Sequence, residues 1–219
     1  MNVTKEDAGR ILLINKPLTW TSFDVVNKLR FKLKIKKIGH AGTLDPLATG
    51  LLIICVGKMT KRIEEFMGQE KEYTGTFILG QITPSYDLET AVSEQRDFSH
   101  ITPEMIKAAA TPFVGKINQL PPMHSAIRIG GKRAYEFARK GQDIELKPRE
   151  VEILAFEITS IVLPEVGFRI VCSKGTYIRS VARDFGNALQ VGAHLASLCR
   201  TRIGNYTLDE ALELDQVEP

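Results

Sequence analysis

Apolar and polar positions alternate along this chain with two different periods. "RILLIN" (10–15) is a short apolar run stopped by Lys16-Pro17, and it predicts an opening strand. Val25, Val26, Leu29 and Leu33 follow at helical spacing behind Ser22, a residue type that caps helices, and predict a helix over about 22–33. The alternation of "KLRFKLKIKK" (28–37) argues for a strand instead; the cap favours the helix. "GLLIICVG" (50–57) reads as a buried strand, followed by a helix through "TKRIEEFM". "KEYTGTFILG" (71–80) alternates and is rich in β-formers, so it predicts another strand. "TPEMIKAAATPFVG" opens with a capping Thr102 and has Pro103 at the first helical position.

The second half is less regular. "INQLPPMHSAIRIGGKRAYEFARKGQDIELKPREV" carries a proline pair, a glycine pair and scattered Lys and Arg, and reads as a protruding hairpin plus helix. "VEILAFEITSIVLP" and "GFRIVCSKG" predict two strands joined around Pro164 to Gly167. "TYIRSVARDFGNAL" predicts a helix after the Gly175 turn, and "HLASLCRTRIGNYTL" a mostly extended return. Strands mixed with helices predict an α+β fold, with a mixed, largely antiparallel sheet flanked by helices.

At 219 residues, 43% hydrophobic and 25% charged, the chain suits one large domain or two small ones. No apolar run approaches the roughly 18 residues of a membrane span. The polar "MNVTKEDAGR" has no secretory character, so the expected compartment is the cytoplasm. The three cysteines, Cys55, Cys172 and Cys199, form neither a disulfide framework nor a metal clip. The net charge of +3 is small, but six bases and no acid lie between Lys28 and Lys37. That run is either a solvated face or a phosphate-contacting surface. No phosphate-cradling glycine loop, no H-E-x-x-H and no G-x-S-x-G is present. No metal site is expected.

"GHAGTLDPLATGLL" (39–52) sets its only carboxylate, Asp45, between Leu44 and Pro46 next to buried core. Such a group is either a turn former or a working residue. Pro46 biases it toward extended backbone, and the glycines permit a turn into the next strand. The stretch closely resembles the signature of the bacterial pseudouridine synthases that modify the T-loop uridine of tRNA, the TruB type. The resemblance extends in order through "NKP" (15–17), "KEYTGTFILGQITPSYD" (71–87), "QLPPMHSAIRIGGKRAYEFARKG" (119–141), "CSKGTYIRSVARDFG" (172–186) and "AHLASLCRTRIG" (193–204). It therefore covers nearly the whole chain.

The resemblance implies the pseudouridine synthase fold and an isomerase that needs no cofactor. It makes Asp45 the catalytic aspartate, as nucleophile, as base toward the C2′ proton, or as a charge stabilising C1′. Tyr73 matches the tyrosine that stacks on the flipped uracil, and His40 the histidine that fills the space left in the RNA loop. Arg179 matches the basic residue beside the aspartate, and Asp87 the carboxylate that holds it. Lys16 and Leu198 also fall on family positions near the pocket.

The implied partner is the tRNA T-arm, bound by a monomer without membrane association. Between residues 119 and 149, Arg128, Lys132, Arg133, Arg139, Lys140, Lys147 and Arg149 outnumber Glu136, Asp143 and Glu145. This insertion is expected to close over RNA, with Arg128, Lys132 and Arg133 in contact. Two departures from the family stand out. The chain ends soon after "NYTLDEALELDQVEP", so a single catalytic domain over 1–219 without a C-terminal PUA-like domain is expected. Cys199 stands where relatives often have a longer basic residue. Two other readings remain open, an inactive RNA-folding factor on the same scaffold and a synthase acting on another RNA.

Overall fold

The computed structural model describes residues 9–123, 125, 128, 129, 132, 133, 137, 142 and 146–218. In chain order its elements are β1 (Arg10–Lys16), α1 (Ser22–Leu33), β2 (Ile38–His40), β3 (Ala48–Val56), α2 (Ile63–Gly68), β4 (Lys71–Leu79), β5 (Gln81–Ile82) and β6 (Glu94–Gln95). There follow α3 (Pro103–Ala110), β7 (Gly115–Gln119), β8 (Arg128–Ile129), β9 (Lys132–Arg133), β10 (Arg149–Val162), β11 (Glu165–Cys172), α4 (Ile178–Ala188), β12 (Ala193–Ile203) and β13 (Tyr206–Thr207). The chain forms two compact units, one up to Thr74 and from Ser197 onward, the other from Gly75 to Ala196.

In the first unit β3 is central. β1 and β2 pair with it antiparallel, and β12 runs parallel to it through Leu198 to Arg200. β3 is apolar at nearly every position because both its faces are covered. Leu52, Ile54 and Val56 pack with Val25, Val26, Leu29 and Leu33 of α1. Leu51, Ile53 and Cys55 meet Phe66 of α2 and Ile203. α1 spans the expected 22–33, but its cap is Thr21, one residue earlier than expected. Thr21 and Asp24 exchange side-chain and backbone bonds in a capping box. Ser22 is therefore released for another partner. The helix ends where Lys34 turns left-handed (φ 55°), so the basic stretch is helical first and then loops back through buried Ile35.

In the second unit, which takes β4 from Gly75 onward, the strand order is β4-β11-β10-β7. Its core is aromatic. Phe77 stacks on Phe168 at 4.1 Å between centroids, and Phe185 of α4 lies 5.6 Å from Phe156. β10 and β11 pair with Val162 opposite Glu165, so the turn is Leu163-Pro164 and shorter than expected. Gly167 sits inside β11, because a Cβ there would lie 2.3 Å from Ser160 Oγ at a register shift. "INQ", read as the start of the protruding segment, is instead the end of β7, paired with β10. α3 has the expected Thr102 cap and leading Pro103. No helix of the described residues is long and apolar enough to cross a membrane.

Candidate active site

Asp45 is half-buried on the loop 41–47 between β2 and β3. Between the expected helix over about 22–33 and the expected strand over 50–57 the chain thus inserts β2, too short to show a period. The residues flanking Asp45 are tied down separately. Leu44 N–H donates to Ser22 Oγ at 2.9 Å, and Leu44 C=O accepts from the same hydroxyl at 3.2 Å. Pro46 C=O accepts from Thr19 N–H at 2.8 Å and from Lys16 Nζ at 3.4 Å. Asp45 C=O accepts from Ala48 N–H at 3.0 Å. A carboxylate mounted this way has little backbone freedom left to lose when substrate arrives.

Two buried cations support the loop. Lys16 is fully buried, and its ammonium also donates to the carbonyls of Pro17 at 2.9 Å and Trp20 at 2.6 Å. With Pro46 these occupy all three donors, so Lys16 ties the loop to the segment after β1 through backbone carbonyls. Burial pulls its pKa down to about 8, although the attraction of Asp45 opposes this and Arg200 adds to it. Read from the other partner, that attraction favours a charged Asp45. Arg200, 1% exposed, donates from Nε to Leu51 C=O at 2.8 Å. Its Nη2 reaches Gly42 C=O at 3.2 Å and its Nη1 Thr43 C=O at 3.4 Å. The guanidinium thereby joins the start of the loop to β3. β12 comes this close because position 50 is glycine at φ +102°; a Cβ there would lie 2.4 Å from Arg200 C=O.

His40 ends β2. Burial holds its pKa below the usual imidazole value, Arg200 adds to the shift, and a backbone hydrogen bond at Gly42 opposes it. The ring is therefore neutral at pH 7. Leu198, half-buried on β12, lies opposite Ala48, and its carbonyl accepts from Thr49 Oγ1 at 3.4 Å. Tyr73, 9% exposed, stands on β4 within the same unit.

The second unit holds Asp87 and Arg179, both buried. Arg179 stands in the first turn of α4, with its Nε 3.5 Å from Asp87 Oδ2 and its Nη1 donating to Ser85 C=O at 3.4 Å. Asp87 Oδ1 accepts from Glu89 N–H at 2.9 Å, and Asp87 C=O accepts from Thr83 Oγ1 at 2.7 Å. The start of α4 is fixed in turn by Gln119. Its amide accepts from Tyr177 N–H at 2.8 Å and donates to Tyr177 C=O at 3.1 Å. Arg128 and Arg133 face each other in the β8–β9 ladder, as do Ile129 and Lys132. The side chains of Arg128, Lys132 and Arg133, and the helical part expected of the insertion, lie outside the described residues.

Sequence reasoning missed Ser22 as a loop clamp, and it missed Arg200 and Gln119 altogether. Ser22 beside a helix start looks like any cap. Arg200 is one base among several in an extended run, and Gln119 carries no charge to draw notice.

Comparison with known proteins identifies the class as the pseudouridine synthases. Residues 30–178 match the TruB family pseudouridylate synthase (N terminal domain). The tRNA pseudouridine synthase B of Flavobacterium johnsoniae is 54% identical over 217 residues, covering 96% of this chain and 95% of that protein. That of Parabacteroides distasonis is also 54% identical, with 96% and 92% covered. A chain of the solved Cbf5-Nop10-Gar1 complex superposes with a TM-score of 0.73 at 30% identity. A chain of an H/ACA RNP bound to a substrate RNA containing 2'-deoxyuridine gives 0.70 at 27%. Each alignment covers 94% of this chain but only about half of the solved one, 52% and 51% respectively. This chain belongs to the TruB family of pseudouridylate synthases. It is an isomerase.

Proposed function

We propose that this enzyme converts the T-loop uridine of tRNA, position 55 by tRNA convention, to pseudouridine, acting as a cytoplasmic monomer through one catalytic domain. The reaction breaks the N1–C1′ bond, turns the freed uracil and joins C5 to C1′. The C5 proton departs and N1 gains one, with no change of oxidation state. Asp45 supplies the carboxylate at C1′ or C2′, ionised as a free Asp is at neutral pH. The uridine leaves its stack at a cost of a few kcal/mol. Tyr73 gives back part of that cost as a stacking platform, about 1–3 kcal/mol per base. His40, neutral, occupies the space left in the loop. Arg179, held by Asp87, supplies the positive charge of the site. Leu198 lines the pocket. Arg128, Lys132 and Arg133 contact the RNA from the insertion.

The observation that carries this reading is the double anchorage of Asp45, through Leu44 on Ser22 and through Pro46 on Thr19 and Lys16. The family's named relatives supply the substrate class. The test incubates a T-arm transcript with the enzyme and maps pseudouridine at each uridine, alongside Asp45→Asn. Asparagine keeps the shape but loses the charge, so turnover is expected to vanish while RNA affinity stays within a few-fold. Near wild-type turnover in Asp45→Asn, with a melting curve showing folded protein, sinks the assignment.

A further inference from the structure

Helix α1 turns a face to solvent that its own packing does not use. Val25, Val26, Leu29 and Leu33 take the buried side, yet Phe31 is 87% exposed and Phe23 59% exposed. One exposed phenylalanine is ordinary and needs no explanation. Two of them, with Asn27 between, form a single stripe at i, i+4 and i+8. The stripe has basic edges. Arg30 lies along one side and donates to Asn27 Oδ1 at 2.8 Å, Lys28 lies along the other, and exposed Lys34 and Lys37 follow the helix end. The one acid within the helix, Asp24, has its carboxylate turned to the Thr21 cap. Lys32 points elsewhere, onto the carbonyls of Leu214 and Asp215 at 3.2 and 2.8 Å.

Exposed rings among cations, with the helix's one acid engaged in its own cap, match the chemistry of a nucleic-acid strand, whose bases stack while its phosphates meet Lys and Arg. The position of the face supports the same partner. Phe23 follows Ser22, whose hydroxyl holds Leu44 beside Asp45. Phe31 lies eight residues further on, about 12 Å along the helix axis. The stripe therefore begins one residue beyond the hydroxyl that clamps the carboxylate loop.

We infer that the Phe23–Phe31 face of α1 is a second RNA contact, on which bases of the substrate flanking the target loop stack while Lys28, Arg30, Lys34 and Lys37 meet its phosphates. The inference rests on the proposed function in taking RNA as the substrate. Its test titrates whole tRNA and a T-arm hairpin against wild type, Phe23→Ala/Phe31→Ala, and Lys28→Gln/Lys34→Gln/Lys37→Gln at several salt concentrations. The double alanine variant is expected to bind tRNA about tenfold or more weakly, since each stacked base contributes about 1–3 kcal/mol. The loss should fall on KM, with kcat at saturating RNA and the melting temperature held. The triple variant should lower the slope of log affinity against log salt by about two to three, as three phosphate contacts predict. Unchanged RNA affinity in both variants overturns the inference. So does wild-type capture on anionic vesicles, or a wild-type dimer in sedimentation, that the variants abolish while RNA affinity stays the same. Absence of pseudouridine in the wild-type reaction would defeat the proposed function alone, because the binding comparison decides the surface separately.

Discussion

Replacing Ser22 by Ala removes one oxygen and both of the hydrogen bonds that hold Leu44. Leu44 is 3% exposed, so water does not readily replace the lost partner. A buried backbone group left without its partner costs about 1–3 kcal/mol. With about 2 kcal/mol as the working figure, the melting temperature should fall by roughly 4–8 °C for a chain of this size. The catalytic effect should exceed what that stability loss explains. Asp45 is the next residue, and a displacement near 1 Å at a reacting group costs about a hundredfold in rate. We expect kcat to fall between about tenfold and a hundredfold.

The neighbouring Thr21→Ala provides the control. It breaks the capping box of the same helix at a similar cost, about 1 kcal/mol and up to about 2, without touching the loop. The reaction expels the C5 proton, so tritium release from RNA labelled at uridine C5 follows turnover directly. Both variants are assayed under single-turnover conditions, well below their melting temperatures, and RNA affinity is measured in parallel. The expected pattern is destabilisation of the same order, about 1–2 kcal/mol, unchanged affinity, and a fall in kcat confined to Ser22→Ala. Equal kcat in the two variants, whether both low or both normal, would refute the idea that the hydroxyl positions the carboxylate.

Lys16 makes stability depend on pH: the unfolded chain holds its proton to about pH 10.5, whereas the folded chain releases it near 8. Stability relative to Lys16→Met should therefore rise between those values by about 3 kcal/mol. Denaturant titrations across that range, showing no rise or a fall, would count against it. Arg179→Lys keeps the charge but loses the planar fork that engages Asp87 and Ser85; kcat should drop strongly with a smaller change in RNA affinity, and normal turnover in Arg179→Ala would remove the residue from the site. Activity on a pre-folded T-arm hairpin should survive saturating chelator, since the reaction involves no redox step and the carboxylate needs no Lewis acid. Loss that zinc reverses would contradict this.

The elements that could be read from sequence were those whose pattern is longer than their period. α1 shows four core residues over three turns, and β3 a run buried on both faces, so both emerged near their observed bounds. β2 has three residues and β5 and β6 two each; such strands are specified by the partner they lie against, not by their own alternation. Gly167 shows a related failure. It looked like a turn residue because glycine permits turns, but it is required by the crowding of Ser160 across a strand pair. The residue number of that partner is a tertiary fact.

Asp45 and Lys16 drew notice through the motifs that contain them; the backbone bonds that hold the loop did not. Asp87 and Arg179 carry opposite charges, so even without coordinates their pairing is an idea the sequence can suggest. Lys16 and Arg200 are equally buried, yet none of the bonds described for them goes to a carboxylate. Each cation spreads its donors over several backbone carbonyls, which satisfies the desolvated charge and fixes the loop in one step. A carboxylate partner leaves a mark in the sequence. A carbonyl leaves none, because every residue carries one.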